Sequence, residues 1–129
     1  MKSENHRDLI VWRKSMELAV LSYGLVRRLP ECERFGLISQ IQRAAASIPA
    51  NIAEGKGRGQ SRVFLNFLAI ASGSLSELDT HFELACQLGY FGDDDLRDVR
   101  KLMNDVGRLL TAFRQSIQRR LKPSSGDKR

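Results

Sequence analysis

The stretch SQIQRAAASIPANIAEG, residues 39–55, decides the fold of this 129-residue chain, because a helix with this sequence has almost no face for water. On a helical wheel at about 100° per residue, apolar side chains form one stripe, polar side chains form a second, and a third side is lined mainly by small residues. The third side consists of Ser39, Gln42, Ala46, Ala50 and Ala53. Surface helices of globular proteins carry charged side chains at such positions. The stretch therefore predicts a helix held inside a bundle, with its small-residue side against a second subunit.

The polar side of this helix predicts a seam of hydrogen-bonding residues between two helices. Its members are Gln40, Arg43, Ser47, Asn51 and Glu54. On a later segment, Asn66, Glu77 and His81 fall along one side of a predicted helix. Because buried polar groups need hydrogen-bond partners, we expect Arg43 to pair with Glu54 or Glu77 and to fix the helix register. We favour this structural role over the alternative, a small-molecule or catalytic pocket between the two helices.

Apolar residues spaced three and four apart predict a first helix before Pro30. Its predicted core stripe consists of Leu9, Trp12, Met16, Ala19, Tyr23 and Val26, and it is widened by Val11, Leu18 and Leu25. The second helix is expected to end at Gly55, because glycine is favoured directly after the last turn of a helix. After the linker at residues 55–60, a third helix is predicted from the candidate N-cap Ser61 to Gly89.

A fourth helix is predicted after the acidic cluster at residues 93–95, and its apolar seam continues to Leu121. No segment alternates with the period of two residues that is typical of a strand. The sequence therefore predicts an all-α protein, an antiparallel, up-down-up-down four-helix bundle with one domain at residues 8–122. We expect a flexible leader at residues 1–7 and a disordered polar tail at residues 123–129.

The composition is that of a basic globular protein. Lys and Arg total 21 against 15 Asp and Glu, which gives a formal net charge of +6 and a pI near 9.8. The only cysteines, Cys32 and Cys86, form no CxxC pair, and no secretory leader precedes the first helix. No apolar run reaches the roughly 20 residues that a bilayer-crossing helix needs. We expect a cytoplasmic protein with free thiols and no membrane partner, and the positive charge makes nucleic acid a plausible ligand.

Two groups of basic residues are the candidate phosphate contacts. The first lies at the linker and the second in the later part of the fourth helix: Lys56, Arg58 and Arg62, then Arg108, Arg114, Arg119, Arg120 and Lys122. The alternative is an ordinary solvated face, which is the usual role of a charge run. Because Trp12 and Tyr23 are predicted in the core, base stacking is not expected, and binding should be to backbone phosphates and tolerant of sequence.

The sequence does not favour an enzyme or a metal protein. Di-iron four-helix bundles need Glu-x-x-His pairs on two helices, and no such pair occurs in the chain. His81 lies one turn after Glu77, a spacing that also suits a plain side-chain pair. No base has a predictable place beside Cys32 or Cys86, and no nucleophile elbow, P-loop or paired-carboxylate pattern is present. We therefore expect no cofactor, no metal and no catalytic residues.

Three segments together carry a family resemblance: FGLISQIQRAAASIPANIAEG with the Gly- and Arg-containing loop after it, FLNFLAIASGSLSELDTH, and LGYF. They resemble the bacterial four-helix-bundle proteins encoded in ribosomal RNA intervening sequences, a family that includes the accessory variability protein of diversity-generating retroelements. The resemblance covers roughly Asp8 to Leu121. It implies a cytoplasmic bundle that assembles as a ring-like homopentamer with a basic surface. In the retroelement branch it implies a nucleic-acid-binding partner of a reverse transcriptase, whereas no established activity comes with the intervening-sequence branch.

Two functional hypotheses follow. The leading one is a non-enzymatic homo-oligomer that binds RNA or DNA through a basic surface, as an accessory to a reverse transcriptase or to an rRNA-associated element. The alternative is a structural or adaptor oligomer that binds a protein partner and no nucleic acid. The two hypotheses differ in salt dependence, because phosphate binding weakens steeply as salt rises whereas an apolar protein contact does not.

Overall fold

Four α-helices make up most of the chain at residues 5–122, the part that this computed structural model describes. They are α1 (Ile10–Val26), α2 (Leu37–Gly57), α3 (Ser61–Gln87) and α4 (Asp93–Leu121). Short 3₁₀ helices at His6–Asp8 and Glu31–Glu33 precede α1 and α2. No strand occurs within the described range, so the all-α, four-helix prediction is confirmed. The leader at residues 1–4 and the tail at residues 123–129 lie outside it.

Each helix packs against two others. α1 contacts α2 and α4, and α3 contacts the same two helices, with the most extensive contact between α2 and α3. Side chains from all four helices meet in one core, whose largest fully buried members include Leu18, Ile41, Ile52, Leu68, Phe82 and Leu110. The order around the bundle is therefore α1, α2, α3, α4, and α2 lies between two grooves, one shared with α1 and one shared with α3.

The chain before α1 forms a capped turn. The Asn5 side chain accepts a hydrogen bond from the Arg7 backbone N–H at 2.7 Å, and Asp8 accepts one from the Asn5 N–H at 3.3 Å. His6 packs edge-on against Trp12, with ring centroids 4.9 Å apart. Residues 5–7, which the sequence analysis assigned to the flexible leader, thus belong to this turn and contact α1.

The buried face of α1 lies at one edge of the predicted stripe. The structure buries Val11, Leu18, Leu25 and Val26, which the stripe included, together with Ser15 and Ser22, which it did not, whereas Met16 and Tyr23 are exposed. Serine is tolerated there because each hydroxyl donates to a backbone carbonyl of an earlier turn, Ser15 to Trp12 and Ser22 to Leu18, both at 2.8 Å. The buried face is thus rotated about the helix axis relative to the centre of the predicted stripe. The side chains of Met16 and Tyr23 consequently lie on the outer surface of the bundle.

Gly55 does not end α2, which continues to Gly57. A Cβ atom added at Gly55 would lie 2.6 Å from the Phe67 Cβ and 2.8 Å from the Phe64 Cδ1. These distances are far below van der Waals contact. Glycine at this position therefore allows α2 and α3 to approach closely. The role of Gly55 is in the packing between these two helices, and not in ending α2.

Glu33 joins the start of α2 to the turn between α3 and α4. Its Oε1 accepts a hydrogen bond from the Leu37 backbone N–H at 3.1 Å, and its Oε2 accepts one from the Tyr90 hydroxyl at 2.9 Å. The first bond satisfies one of the free N–H groups at the helix N-terminus. The second raises the pKa of Tyr90 to about 12, because ionisation would remove the donated proton and place a second negative charge beside the carboxylate.

We expect Tyr90 to ionise near pH 12 instead of near its ordinary pKa of 10.0. Since the folded pKa is raised, the stability contributed by this hydrogen bond is complete below pH 10 and is lost as the pH rises through about 12. Ultraviolet titration of a Tyr23→Phe protein isolates Tyr90, because the chain has 2 tyrosines. Glu33→Gln should return the midpoint toward 10, and an unshifted midpoint in the Tyr23→Phe protein would contradict the assignment.

Candidate nucleic-acid interface

Two basic groups that are far apart in the sequence meet at one end of the bundle. Arg62, in the first turn of α3, lines a cavity of about 780 Å³ with Arg119 and Lys122 of the α4 end. Lys56, near the end of α2, lines a second cavity of about 280 Å³ with Arg120. We call these five residues the basic end. Among residues 5–122, none of the five forms an ion pair with an acidic side chain.

Local structure explains why positive charge collects at this end. Gly59 turns the chain with a φ of 76°, and Gln60 precedes α3 without a side-chain cap. The first turn of α3 contains no acidic residue, so its free N–H groups keep the positive end of the helix dipole uncompensated. Arg119 and Arg120 lie in the last turn of α4, where cations are favoured by the opposite end of a dipole. An anion at this end would meet both side-chain and backbone donors.

The other three candidate phosphate contacts lie away from the basic end or have partners within the chain. Arg58 donates to Glu54 at 2.7 Å and lies over the Phe67 ring, 5.3 Å from its centroid. Arg108 and Arg114 lie on α4. Arg108 Nη2 donates a hydrogen bond to Asp105 Oδ1 at 2.6 Å. The half-buried Arg114 donates a hydrogen bond to the Ser72 hydroxyl at 3.3 Å. Arg114 Nε is buried with no hydrogen-bond partner in the described residues. Arg58 thus lies at the same end of the bundle as Lys56 but is engaged by Glu54, whereas Arg108 and Arg114 lie on α4 before its last turn and have partners.

The polar seam between α2 and α3 is a short hydrogen-bonded cluster. The Ser47 and Ser74 hydroxyl oxygens are 2.7 Å apart, and Asn51 Nδ2 donates to the Ser47 carbonyl at 2.8 Å and to its hydroxyl at 2.9 Å. Ser74 is buried, and Ser47 and Asn51 are half-buried. This cluster joins α2 to α3 near the middle of both helices.

Arg43 does not make the expected ion pair. It is exposed and forms no ion pair among the described residues, whereas Glu54 binds Arg58 one turn away at 2.7 Å. Arg43 and Glu54 are separated by about 16 Å along the helix axis at 1.5 Å per residue, too far for contact. Glu77 is also exposed and forms no ion pair in this part of the chain. Both charges therefore point to solvent in the single chain.

The remaining polar candidates lie in a shallow surface cavity. Gln40, Glu77 and His81 line it together with Glu33, and its volume is about 450 Å³. Among residues 5–122, no group of three His, Cys, Asp or Glu side chains could hold a metal ion. Within the same residues, no helix is both long and apolar enough to cross a membrane. Gln40, Glu77 and His81 thus share a surface, without a metal-binding arrangement.

The sequence analysis missed an apolar groove between α1 and α2. Its volume is about 570 Å³, and its lining includes Trp12, Met16, Val20 and Tyr23 of α1, Ala46, Ala50 and Ala53 of α2, and His6 at one end. We call it the apolar groove. The small residues of α2 were predicted to face a second subunit, but the α1 wall was predicted in the core. The predicted stripe included the buried residues Val11, Leu18 and Leu25, but it was drawn too wide because it also included Met16 and Tyr23.

Comparisons with known proteins identify a family and solved structures of similar fold. The sequence model described as 23S rRNA-intervening sequence protein matches residues 7–112. A crystal structure of a protein with unknown function from the S23 ribosomal protein family of Bacteroides thetaiotaomicron VPI-5482 has a TM-score of 0.72 and 27% sequence identity to this chain. That match covers 81% of this chain and 97% of the other. No curated protein matches. The matched family range includes Lys56 and Arg62 but ends before Arg119.

Proposed function

This chain belongs to the 23S rRNA-intervening sequence protein family, and from that premise we propose that it is a non-enzymatic homo-oligomer that binds RNA or DNA through its basic end. The binding is sequence-tolerant and uses backbone phosphates. The bundle is antiparallel, in up-down-up-down order, and its copies form a ring-like homopentamer. Its physiological role is that of an accessory to an rRNA-associated element or to a reverse transcriptase.

The observation that carries this proposal is the convergence of the basic end. Its five cations come from three helix termini, and none is neutralised by an acidic side chain among residues 5–122. Clustered cations without partners are the electrostatic footprint of a phosphate-binding surface. Phe64 and Phe113, the aromatic residues in the smaller cavity, pack edge-on against each other with centroids 5.4 Å apart. Phe64 is buried and Phe113 is half-buried, so neither ring is an open platform for base stacking, which supports contact with the phosphate backbone.

Self-association is supported by the apolar groove. Val20 is 69% exposed there, and Met16 and Tyr23 are 38% and 41% exposed. Large exposed apolar patches mark interaction sites. If copies of the chain cover this groove in a closed ring, the basic ends repeat around one axis, and a weak phosphate contact in one copy becomes a strong one in the assembly.

The second candidate function is an adaptor oligomer that binds a protein partner and no nucleic acid. The apolar groove favours it, since a helix of another protein could also cover that surface. In this alternative the basic end is a solvated face, and the charges at the α4 terminus serve only to balance the helix dipole.

Light scattering after gel filtration, with and without a mixed-sequence RNA or DNA duplex, separates the two functions. We expect an oligomer that binds the duplex at low salt. Between 50 and 200 mM salt, the affinity should fall by about 1,000-fold or more if six or more phosphates are contacted across the assembly. An oligomer that ignores the duplex at every salt concentration would contradict nucleic-acid binding and leave the adaptor function. A monomer would contradict self-association.

A further inference from the structure

Two surface cavities between α3 and α4 join into one groove. The larger, of about 940 Å³, is lined by residues that include Leu75 of α3 and Arg100, Gly107 and Gln115 of α4. The smaller is the cavity of about 780 Å³ at the basic end, and Gln115 lines it as well. We call the joined cavities the α3–α4 groove. Along α4 its lining runs from Arg100 to Lys122, which is about 33 Å at 1.5 Å per residue.

Hydrogen-bonding and positively charged side chains line the α3–α4 groove. The charged residues are five cations and one acid: Arg62, Arg100, Arg108, Arg119 and Lys122, then Asp79. Between them lie amide and hydroxyl side chains: Ser76, Asn104, Thr111, Gln115 and Gln118. Side chains of these types make most protein contacts with phosphate oxygens and sugars. Arg100 and Arg108 pair with acidic side chains, so the free positive charge is greatest at the basic end.

Arg114 is a positive charge without an acidic partner at the level where the two cavities meet. It precedes Gln115 in α4, and its hydrogen bond to Ser72 reaches α3 between Leu65 and Leu75, which line the two cavities. The side chain is half-buried, its Nε is buried without a hydrogen-bond partner, and it forms no ion pair among residues 5–122. Charges that lose water in a protein are ordinarily paired. A phosphate in the groove would supply the negative charge that the chain itself does not.

The width of the α3–α4 groove selects a single strand of nucleic acid. The axes of packed neighbouring helices are about 8–10 Å apart, whereas the major groove alone of a duplex is about 12 Å wide. A duplex therefore contacts the basic end from outside, and only one strand enters between α3 and α4. Gly107 lines the groove, and a Cβ atom added there would lie 3.4 Å from Leu75 Cδ2. A larger side chain at this position would thus fill the groove.

We propose that the α3–α4 groove binds one strand of nucleic acid, with phosphates at the basic end and beside Arg114, an inference that rests on the proposed function. The strand runs from the basic end toward Arg100, and the groove spans about ten nucleotides at the 3.4 Å spacing of a stacked strand. Amide side chains such as Gln115 and Gln118 contact its phosphates and sugars. The groove lies across the bundle from the apolar groove, so covering the apolar groove in an oligomer does not close it.

Two variants test the groove while the basic end stays intact. Arg114→Met removes the charge and keeps an apolar stem, and Gly107→Met narrows the groove at unchanged charge. Arg114→Met should lower the affinity for an oligothymidylate of about ten nucleotides by about tenfold, and Gly107→Met should lower it as well. The affinity of both variants for a mixed-sequence duplex should not change. In fluorescence anisotropy across a salt series, Arg114→Met should also make the slope for the single strand shallower by about 0.7 for each bound site.

Each variant has a matched control. Gly24 is exposed in α1, and a Cβ atom added there would meet nothing within 4 Å, so Gly24→Met should bind strand and duplex as wild type does. Arg114→Lys keeps the positive charge and should retain more affinity for the strand than Arg114→Met. Circular dichroism checks that each variant keeps the helical fold. Gly107→Met tests the groove by itself if Arg114→Met does not fold.

The outcomes of this experiment separate the groove from the proposed function. If the wild-type protein binds neither strand nor duplex, nucleic-acid binding and the groove site are both wrong. If it binds the duplex alone, or if the folded variants bind the strand as tightly as wild type does, the basic end stands and the groove site is wrong. Equal losses for strand and duplex also overturn the groove site, because the substitutions then act on a surface that both ligands share.

Discussion

Replacing Arg62, Arg119 and Arg120 together with alanine should lower the affinity for a mixed-sequence duplex by about 100-fold or more at 0.1 M salt. Each phosphate contact contributes about 0.9 to the slope of log affinity against log salt. Three lost contacts should therefore make the slope shallower by about 2.7 for each bound site. All three side chains are exposed, so the fold and the oligomer should be unchanged. Fluorescence anisotropy across a salt series measures both quantities.

The matched control removes the same charge elsewhere. Arg34, Arg97 and Lys101 are also exposed and lie outside the two cavities of the basic end. Their triple alanine variant lowers the net charge equally, and its salt slope should stay near that of wild type. Equal losses in the two variants would show a general charge effect, and the basic end would then not be a binding site.

Gly55→Ala should destabilise the bundle, although alanine is the better helix former. The new Cβ would lie 2.6 Å from the Phe67 Cβ, so α2 and α3 must move apart or Phe67 must leave its position. Overpacking of this kind costs about 1–3 kcal/mol. The gain in helix propensity is about 0.5–1 kcal/mol, which leaves a net loss of up to about 2.5 kcal/mol, centred near 1 kcal/mol. Thermal unfolding should show a Tm lower by about 4–8 °C.

Gly24→Ala is the control for this substitution. Gly24 is exposed in α1, and a Cβ atom added there would meet nothing within 4 Å. The same change should therefore stabilise by about 0.5–1 kcal/mol. An unchanged or higher Tm in Gly55→Ala would mean that the close approach of α2 and α3 is not a constraint on stability.

The candidate binding residues were predictable one by one, but their grouping was not. Arg62 and Arg119 stand out in the sequence as basic residues near helix ends, yet their meeting depends on how α3 and α4 are arranged in the bundle. Glu54 and Arg58 have the i,i+4 spacing of a helical ion pair, but the pair was not predicted because α2 was expected to end at Gly55, which left Arg58 in the linker. Arg43 binds neither of its two predicted partners: about 16 Å of helix separates it from Glu54, and Glu77 is exposed and forms no ion pair among residues 5–122.

By itself, the sequence determined the class of fold: four amphipathic helices, their approximate bounds and the small-residue side of α2. These features follow from local periodicity and backbone preference, which act over a few turns of chain. The tertiary structure decided which face of α1 is buried, because two serines could satisfy their hydroxyls on the helix backbone and enter the core. It also decided that Gly55 serves packing and that the basic residues converge. Each of these results depends on contacts between helices, which no pattern within one helix contains.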